Sequence, residues 1–150
     1  MGKEKLNCHR QMAAELFNRT WELLDLDERS EAGDREMLAA AYGSRYHWQV
    51  VGGPKQHCIG EWQLSRVWAT LGNAERAATH GRLSLELARQ AELGPFYVAY
   101  AHEALARAAT LAGDDEARQH HLAEAEELSL DIAKGDDAEL LATDLSDLRG

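Results

Sequence analysis

Two glycine–proline pairs, Gly53-Pro54 and Gly94-Pro95, contain the only two prolines of this chain. The offset from the first pair to the second also relates three further pairs of residues: Leu64 and Leu105, Arg66 and Arg107, and Gly72 and Gly113. A fixed period in this range, here about 41 residues, is typical of repeat architectures, whose units bury a core only by stacking on their neighbours. The spacing therefore predicts an array of helical repeats.

The composition favours one all-α domain over residues 1–150. A hydrophobic fraction of 45% argues against wholesale disorder, and the abundance of Ala, Leu, Glu and Arg favours helix over sheet. No apolar run is long enough to span a membrane, and the polar start at Met1-Gly2-Lys3 does not resemble the apolar core of a signal peptide. We expect neither a membrane partner nor a cofactor.

Apolar periodicity and helix-end residues predict about seven helices. Asp34 is predicted to cap the second helix, Pro54 and Pro95 to begin the third and fifth, and Asp136-Asp137 to cap the seventh. On the fourth helix, Ala77, Leu83, Leu87 and Ala88 are expected to face the core. The predicted organisation is three helical hairpins and one capping helix, at about 3–50, 54–93, 95–134 and 137–148.

Charge and cysteine content limit the possible partners. The formal net charge of −10 is distributed as −3 over residues 1–44, +2 over 45–112 and −9 over 113–150. Nucleic acid and anionic membranes are therefore poor partners, while the middle of the chain is suited to receive an anion. Cys8 and Cys58 are far apart in the sequence and have no pairing pattern, which predicts reduced, packed thiols in a cytoplasmic protein.

The residues of each unit carry a family resemblance. Within Glu61–Ala77, the informative positions are Leu64, the small Ser65, the aromatic Trp68, the turn Leu71-Gly72, and Ala77. The next unit has Leu105, Ala106, Ala109, Gly113 and Ala117, with alanine in place of the aromatic residue. This pattern resembles the tetratricopeptide repeat (TPR), although the period is longer than the usual one of about 34 residues.

The likeness covers roughly residues 55–130 well and the first hairpin loosely, and the whole chain is similar to small bacterial TPR-like proteins. It implies a superhelix of paired antiparallel helices. The first helix of each pair would form a concave face that commonly binds peptides or proteins.

An arginine recurs at one position of each predicted first helix, at Arg19, Arg66 and Arg107. Because Arg66 lies two residues from Leu64, it points about 200° away from the buried side of its helix. If the hairpins stack, the three guanidinium groups line the concave wall and suit a carboxylate or phosphate. Flat apolar anchors for a peptide would come from nearby aromatic residues, namely Trp48, Trp62, Tyr97 and Tyr100.

The alternative is that the arginines only tie hairpins together through ion pairs with Glu15, Glu61 and Glu103, each neighbouring one first-helix arginine. Both interpretations stay open from the sequence. The candidate ligand-binding residues are Arg19, Trp62, Arg66, Tyr100, Glu103 and Arg107.

No reaction chemistry can be read from the chain. The seven histidines lack metal-ligand spacing, and His102-Glu103 lacks the second histidine of a zinc-protease helix. The favoured function is a non-enzymatic scaffold or adaptor that binds a protein or peptide, especially an acidic segment. The alternatives are a self-associating homodimeric module and, less favoured, an enzyme or metal-binding protein.

Overall fold

The computed structural model describes residues 2–150, in which seven α-helices and no β-strands are present. Their bounds are α1 Lys3–Leu24, α2 Glu31–Val51, α3 Pro54–Thr70, α4 Ala74–Gln90, α5 Pro95–Ala112, α6 Asp115–Ser129 and α7 Asp136–Asp147. The predicted all-α class with successive helix pairs is confirmed. None of these helices is long and apolar enough to cross a lipid bilayer.

Helices pack in sequence order into hairpins, α1 with α2, α3 with α4, and α5 with α6. The first helices α1, α3, α5 and α7 also contact one another in succession, whereas α2, α4 and α6 make no such contacts within residues 2–150. The first helices therefore form the closer-packed layer, which is called the inner layer below. Side chains on this inner layer come close enough to form shared sites.

The last helix continues the repeat. Gly135-Asp136 follows Gly94-Pro95 at the offset that separates Gly94-Pro95 from Gly53-Pro54, and α7 contacts α5 and α6 as α5 contacts α3 and α4. Its buried residues Leu141 and Leu145, together with Leu148 directly after the helix, join one core cluster with residues of α5 and α6. Yet Ser146, which corresponds to the buried Leu64 and Leu105, is exposed. Helix α7 thus occupies a first-helix position and presents a polar side where a second helix would pack.

The turns inside the second and third hairpins are built alike. Gly72 and Gly113 have φ angles of +83° and +72°, in the left-handed region that glycine adopts without steric cost. The side chains of Asn73 and Asp114 then cap α4 and α6 by accepting hydrogen bonds from backbone N–H groups three residues ahead. The second and third hairpins therefore share the same capping hydrogen bond in their turns.

Helix α2 begins earlier than predicted. Ser30, and not Asp34, is the N-cap, because its side chain accepts a hydrogen bond from the backbone N–H of Gly33. Asp34 instead receives the Nε of Arg29 at 2.9 Å inside the first turn. Asp34 was the more obvious N-cap residue in the sequence, but its carboxylate is paired with Arg29.

Two helices end earlier than predicted, α4 at Gln90 and α6 at Ser129. After α4 the chain turns through Glu92, a non-glycine residue with a φ of +50°. After α6, three successive turns carry Ile132 back against the core cluster of α5, α6 and α7. Burial of Ile132 is a tertiary effect, which explains why helix periodicity overestimated the length of α6.

The core-facing side of α4 consists of small residues spaced four, three and four apart: Ala77, Gly81, Ser84 and Ala88. Leu83, which was expected to face the core, is 38% exposed. A Cβ atom on Gly81 would lie 3.0 Å from Cδ2 of Leu105, so glycine here lets α4 approach the next hairpin closely. The small residues let α4 pack close to its neighbours, and the larger Leu83 stays at the surface.

Candidate functional site

The main cavity of the molecule has a volume of about 380 Å³ and lies on the inner layer, between α3, α5 and α7. Helix α1 contributes Trp21 to its wall, and α4 contributes Ser84. Five of the eleven lining residues are aromatic, namely Trp21, Trp62, Phe96, Tyr97 and Tyr100. Cavities of this size and apolar character are typical of ligand sites.

The aromatic rings hold one another in tilted and edge-to-face arrangements. Trp62 lies 5.6 Å from Trp21 and 5.5 Å from Tyr100, measured between ring centroids. Phe96 lies 5.1 Å from Tyr100. Such ring contacts add to the stability gained by burial alone, and the rings come from three different helices. They therefore form a wall whose shape is set before any ligand arrives.

Arg66 is the only basic residue that lines this cavity. It is half-buried, and among the described residues (2–150) its guanidinium makes no ion pair or hydrogen bond. Burial lowers the pKa of Arg66, and the neighbouring positive charge of Arg107 lowers it further, against weaker opposing effects of Glu103 and Asp144. A partly desolvated cation without a direct partner is a strong attractor for an anion.

Glu103 explains why Arg107 differs from Arg66. The Glu103 carboxylate is fully buried and accepts hydrogen bonds from Nε1 of Trp62 at 3.1 Å and from Nε of Arg107 at 3.1 Å. Nη2 of Arg107 binds the same carboxylate oxygen as Nε. Glu103 therefore neutralises Arg107 and orients Trp62, so its own role at the site is to position other residues.

Tyr100 links the cavity to α7. Its hydroxyl donates a hydrogen bond to Oδ2 of Asp144 at 2.7 Å. Burial, together with the hydrogen bond to Asp144, raises the pKa of Tyr100 well above its ordinary value, so the phenol stays protonated and remains a donor. One oxygen of the only carboxylate in the cavity wall is thus already engaged by the protein.

A second, shallower cavity of about 260 Å³ lies beside the first, between α3 and α5. Arg66 lines both cavities, and Arg107 lines the second together with Thr70 and Thr110. The edge of the second cavity that holds Arg66 of α3 and Arg107 of α5 is called the rim below. It brings two guanidinium groups together on neighbouring helices.

The structure brings together most of the predicted site residues, but Arg19 lies elsewhere. Trp62, Arg66 and Tyr100 line the main cavity, and Arg66 and Arg107 share the second. Arg19 lines neither cavity: its Nε lies 2.6 Å from Oε2 of Glu36, and its Nη1 lies 3.0 Å from Oε2 of Glu22.

The ion pairs of the glutamates also differ in detail from those considered in the sequence. Glu15 accepts a hydrogen bond from Gln11, and Glu61 pairs with Arg45 of α2. Of the three arginines, Arg19 and Arg107 are ion-paired, and Arg66 has no ion pair within residues 2–150.

Asp144, Trp21 and Phe96 are site residues that sequence reasoning missed. Asp144 follows Glu103 by one full repeat period, so extending the repeat into α7 would have found it. Helix periodicity places Trp21 in the interior of the first hairpin, and no local signal directs it toward α3. Among the other proposed aromatic anchors, Tyr97 lines the main cavity, whereas Trp48 lines a separate one of about 200 Å³.

A polar network around the buried Glu61 connects the first two hairpins, and its residues do not line the main cavity. The carboxylate of Glu61 receives Nε of Arg45 at 3.0 Å and Nδ1 of His80 at 2.6 Å, and Nε2 of His80 lies 2.9 Å from the hydroxyl of Tyr42. Burial alone would raise the pKa of Glu61, but its hydrogen bonds and charge contacts with His80 and Arg45 outweigh burial and lower it. The group is an ionised structural carboxylate with both oxygens engaged.

The histidines and cysteines complete the inventory of reactive side chains. His102 and His121 lie with their Nδ1 atoms 3.0 Å apart, and residues 2–150 contain no cluster of three His, Cys, Asp or Glu residues arranged to hold a metal. Both cysteines are free thiols. Cys58 is buried as expected, but Cys8 is exposed on α1, so the prediction that both are packed is wrong for Cys8.

No protein-family model, curated protein or solved structure matches this chain. Its class is therefore defined by its own fold and site: an all-α stack of helix pairs with an aromatic cavity and an unpartnered arginine on the inner layer, as described over residues 2–150.

Proposed function

We propose that this protein is a TPR-like repeat protein that binds an acidic protein segment along the inner layer of first helices. The observation that carries the proposal is the rim where Arg66 and Arg107 stand side by side on α3 and α5. Arg66 has no anionic partner within residues 2–150, and its pKa is lowered by burial and by Arg107. An acidic side chain placed here would remove that unfavourable charge environment.

The TPR-like character is supported by features of single units. Ser65, at the small position of α3, donates its hydroxyl to the carbonyl of Ala77 at 2.7 Å and thereby lets α4 pack closely on α3. The left-handed glycines Gly72 and Gly113 close the hairpins at matching positions. The first helices contact in succession, which is the arrangement needed for a shared binding face.

Charge distribution favours an acidic segment over a basic one. Residues 45–112 carry +2 in a chain of −10, and Arg66 in the rim is a cation without an ion-pair partner within residues 2–150. Long-range repulsion would slow the approach of acidic partners, while the unpaired guanidinium of Arg66 would hold a carboxylate once it docks. Binding should therefore weaken with added salt at the rim, where the contacts are ionic.

Arg66→Gln tests the proposal more cleanly than removing both arginines, because Arg107 neutralises the buried Glu103 and its loss would destabilise the fold. Arg66 has no such partner within residues 2–150, so its replacement should leave the melting temperature nearly unchanged. We expect Arg66→Gln to weaken binding of fluorescein-labelled glutamate-rich peptides by about tenfold or more in fluorescence anisotropy.

Arg19→Gln is the matched control, since Arg19 lines neither cavity. Equal peptide affinity of wild type and Arg66→Gln would contradict the proposal. Light scattering at two protein concentrations tests the alternative: a tight dimer that buries Trp62 would favour self-association over capture of a separate segment.

A further inference from the structure

The main cavity is a half-open pocket that is less open than the second cavity beside it. Helix α7 closes one side with Leu140 and Asp144, and Trp21 reaches it from α1. The resulting volume of about 380 Å³ falls within the range of small-molecule sites, which are mostly apolar and carry a few polar groups that orient the ligand. A segment running along the rim would leave this space unfilled.

The aromatic lining favours a ligand with a flat, apolar ring. Trp62 presents its ring between Trp21 and Tyr100, and Phe96 packs edge-on against Tyr100. Aromatic walls of this kind interact with a planar ring through offset stacking and edge contacts. An aromatic ligand would therefore gain more here than a flexible chain, whose ordering on binding costs entropy.

Two hydroxyl groups of the cavity are already engaged by the protein. Tyr100 donates to Asp144, and Ser84 donates its hydroxyl to the backbone carbonyl of Cys58 at 3.0 Å. Arg66 alone retains a guanidinium with no partner among the described residues. The ligand that completes the site must bring an anionic acceptor to Arg66.

One guanidinium beside one carboxylate also limits the charge of that ligand. Asp144 lines the same cavity as Arg66 and repels a group with two negative charges more strongly than a group with one. A carboxylate has a single charge and two oxygens that match the fork of an arginine. We infer that the main cavity binds a small aromatic carboxylic acid, with its ring between the aromatic walls and its carboxylate on Arg66.

The inference is tested with three naphthalene probes of the same shape: 2-naphthoate, 2-naphthamide and 2-naphthylmethylammonium. Isothermal titration calorimetry should show saturable binding of one 2-naphthoate per chain, and the neutral amide should bind about tenfold more weakly or worse. In NMR spectra, the indole N–H signals of Trp21 and Trp62 should shift more than those of Trp48 and Trp68, which do not line the cavity. Single Trp→Phe variants assign the four signals.

Three variants locate the contacts. Arg66→Gln should reduce the affinity for 2-naphthoate to that for the amide, and leave the amide unchanged. Leu140→Trp enlarges an exposed side chain at the cavity wall and should weaken both probes, while Arg19→Gln should weaken neither. Thermal melting of each variant establishes that it is folded.

The inference is overturned if 2-naphthoate does not saturate, if acid and amide bind equally, or if the ammonium probe binds most tightly through Asp144. These results are separable from those of the proposed function, since peptide and naphthalene probes are measured separately and Leu140 lines the main cavity but not the second. Peptide binding without naphthoate binding would overturn this inference alone. Naphthoate binding without peptide binding would overturn the proposed function alone.

Discussion

Trp62 and Glu103 occupy the same position in successive units and are joined by a hydrogen bond of 3.1 Å from the indole Nε1 to the carboxylate Oε2. Equivalent positions meet because the first helices α3 and α5 are in direct contact. The same carboxylate binds Arg107 in its own helix. One buried acid therefore orients a wall of the main cavity and neutralises one arginine of the rim.

The first prediction concerns this bond. Glu103→Gln should lower the free energy of unfolding by about 2 kcal/mol, because Arg107 loses its anionic partner in a buried setting. Urea denaturation measures the loss, and the exposed Glu86→Gln should stay within about 0.5 kcal/mol of wild type. If Glu103→Gln behaves like Glu86→Gln, the carboxylate does not hold the two units together.

The second prediction separates two glycines that the sequence makes equivalent. Gly94 has a φ of +101°, which strains any L-residue, whereas Gly53 has a φ of −113°. Neither has a neighbour that a Cβ would clash with. Gly94→Ala should therefore destabilise by about 1–2 kcal/mol, and Gly53→Ala should be neutral or slightly stabilising. Thermal unfolding of both variants checks the difference, and equal effects would contradict it.

The third prediction is a loss of stability in mild acid through His102. Because Nη2 of Arg89 lies 3.4 Å from Nε2 of His102 and can only donate, the proton of His102 resides on Nδ1 and points to Nδ1 of His121. Burial, followed by the charges of His121 and Arg89, lowers the pKa of His102 to about 4, and burial also lowers that of His121. The folded protein therefore favours the neutral form of both His102 and His121.

Between pH 6.5 and about 4 the unfolded chain binds a proton at His102 that the folded chain does not, so stability falls as the pH falls. The full shift corresponds to roughly 3 kcal/mol. His120 and Glu124 also face this pair: Glu124 raises the pKa of His102, and His120 lowers it. Urea midpoints should drop across this window for wild type and for the exposed His120→Gln, and drop less for His102→Gln. An unchanged slope in His102→Gln would assign the acid sensitivity to other groups.

The fourth prediction concerns the two thiols. Burial raises the pKa of Cys58, its hydrogen bond to Ser84 only partly opposes this, and its side chain is 2% exposed. Cys8 is exposed. A thiol reagent should therefore modify one cysteine of the native protein rapidly and the second only on unfolding. Native Cys8→Ser should show no rapid reaction, and rapid modification of this variant would mean that the cavity wall at Cys58 opens readily.

Much of the fold was predictable, because its signals are local. Gly72 and Gly113 end helices, Pro54 and Pro95 begin them, and apolar spacing marks the buried sides. The errors arose where distant contacts decided the outcome. Ile132 packs on the core and ends α6 early, and Arg29 engages Asp34, so that Ser30 caps α2.

The candidate site was predictable in part. The repeat placed Arg66 near Arg107, and the nearby aromatic residues Trp62 and Tyr100 belong to the same cavity. It also placed Arg19 with them, but α2 supplies Glu36 close to Arg19, and the ion pair forms there. The position in the repeat determines where the backbone of a residue lies, but not which residues surround the end of its side chain.

The amino-acid sequence by itself determined the helices, the period of the repeat and the succession of hairpins, since helix capping, turn glycines and apolar spacing act over a few residues. Only the tertiary structure decided which of the three arginines is left without a partner in residues 2–150 and that α7 and Trp21 line one cavity with α3 and α5. Both outcomes depend on burial and on charges contributed by several helices, and these are set only when the helices pack.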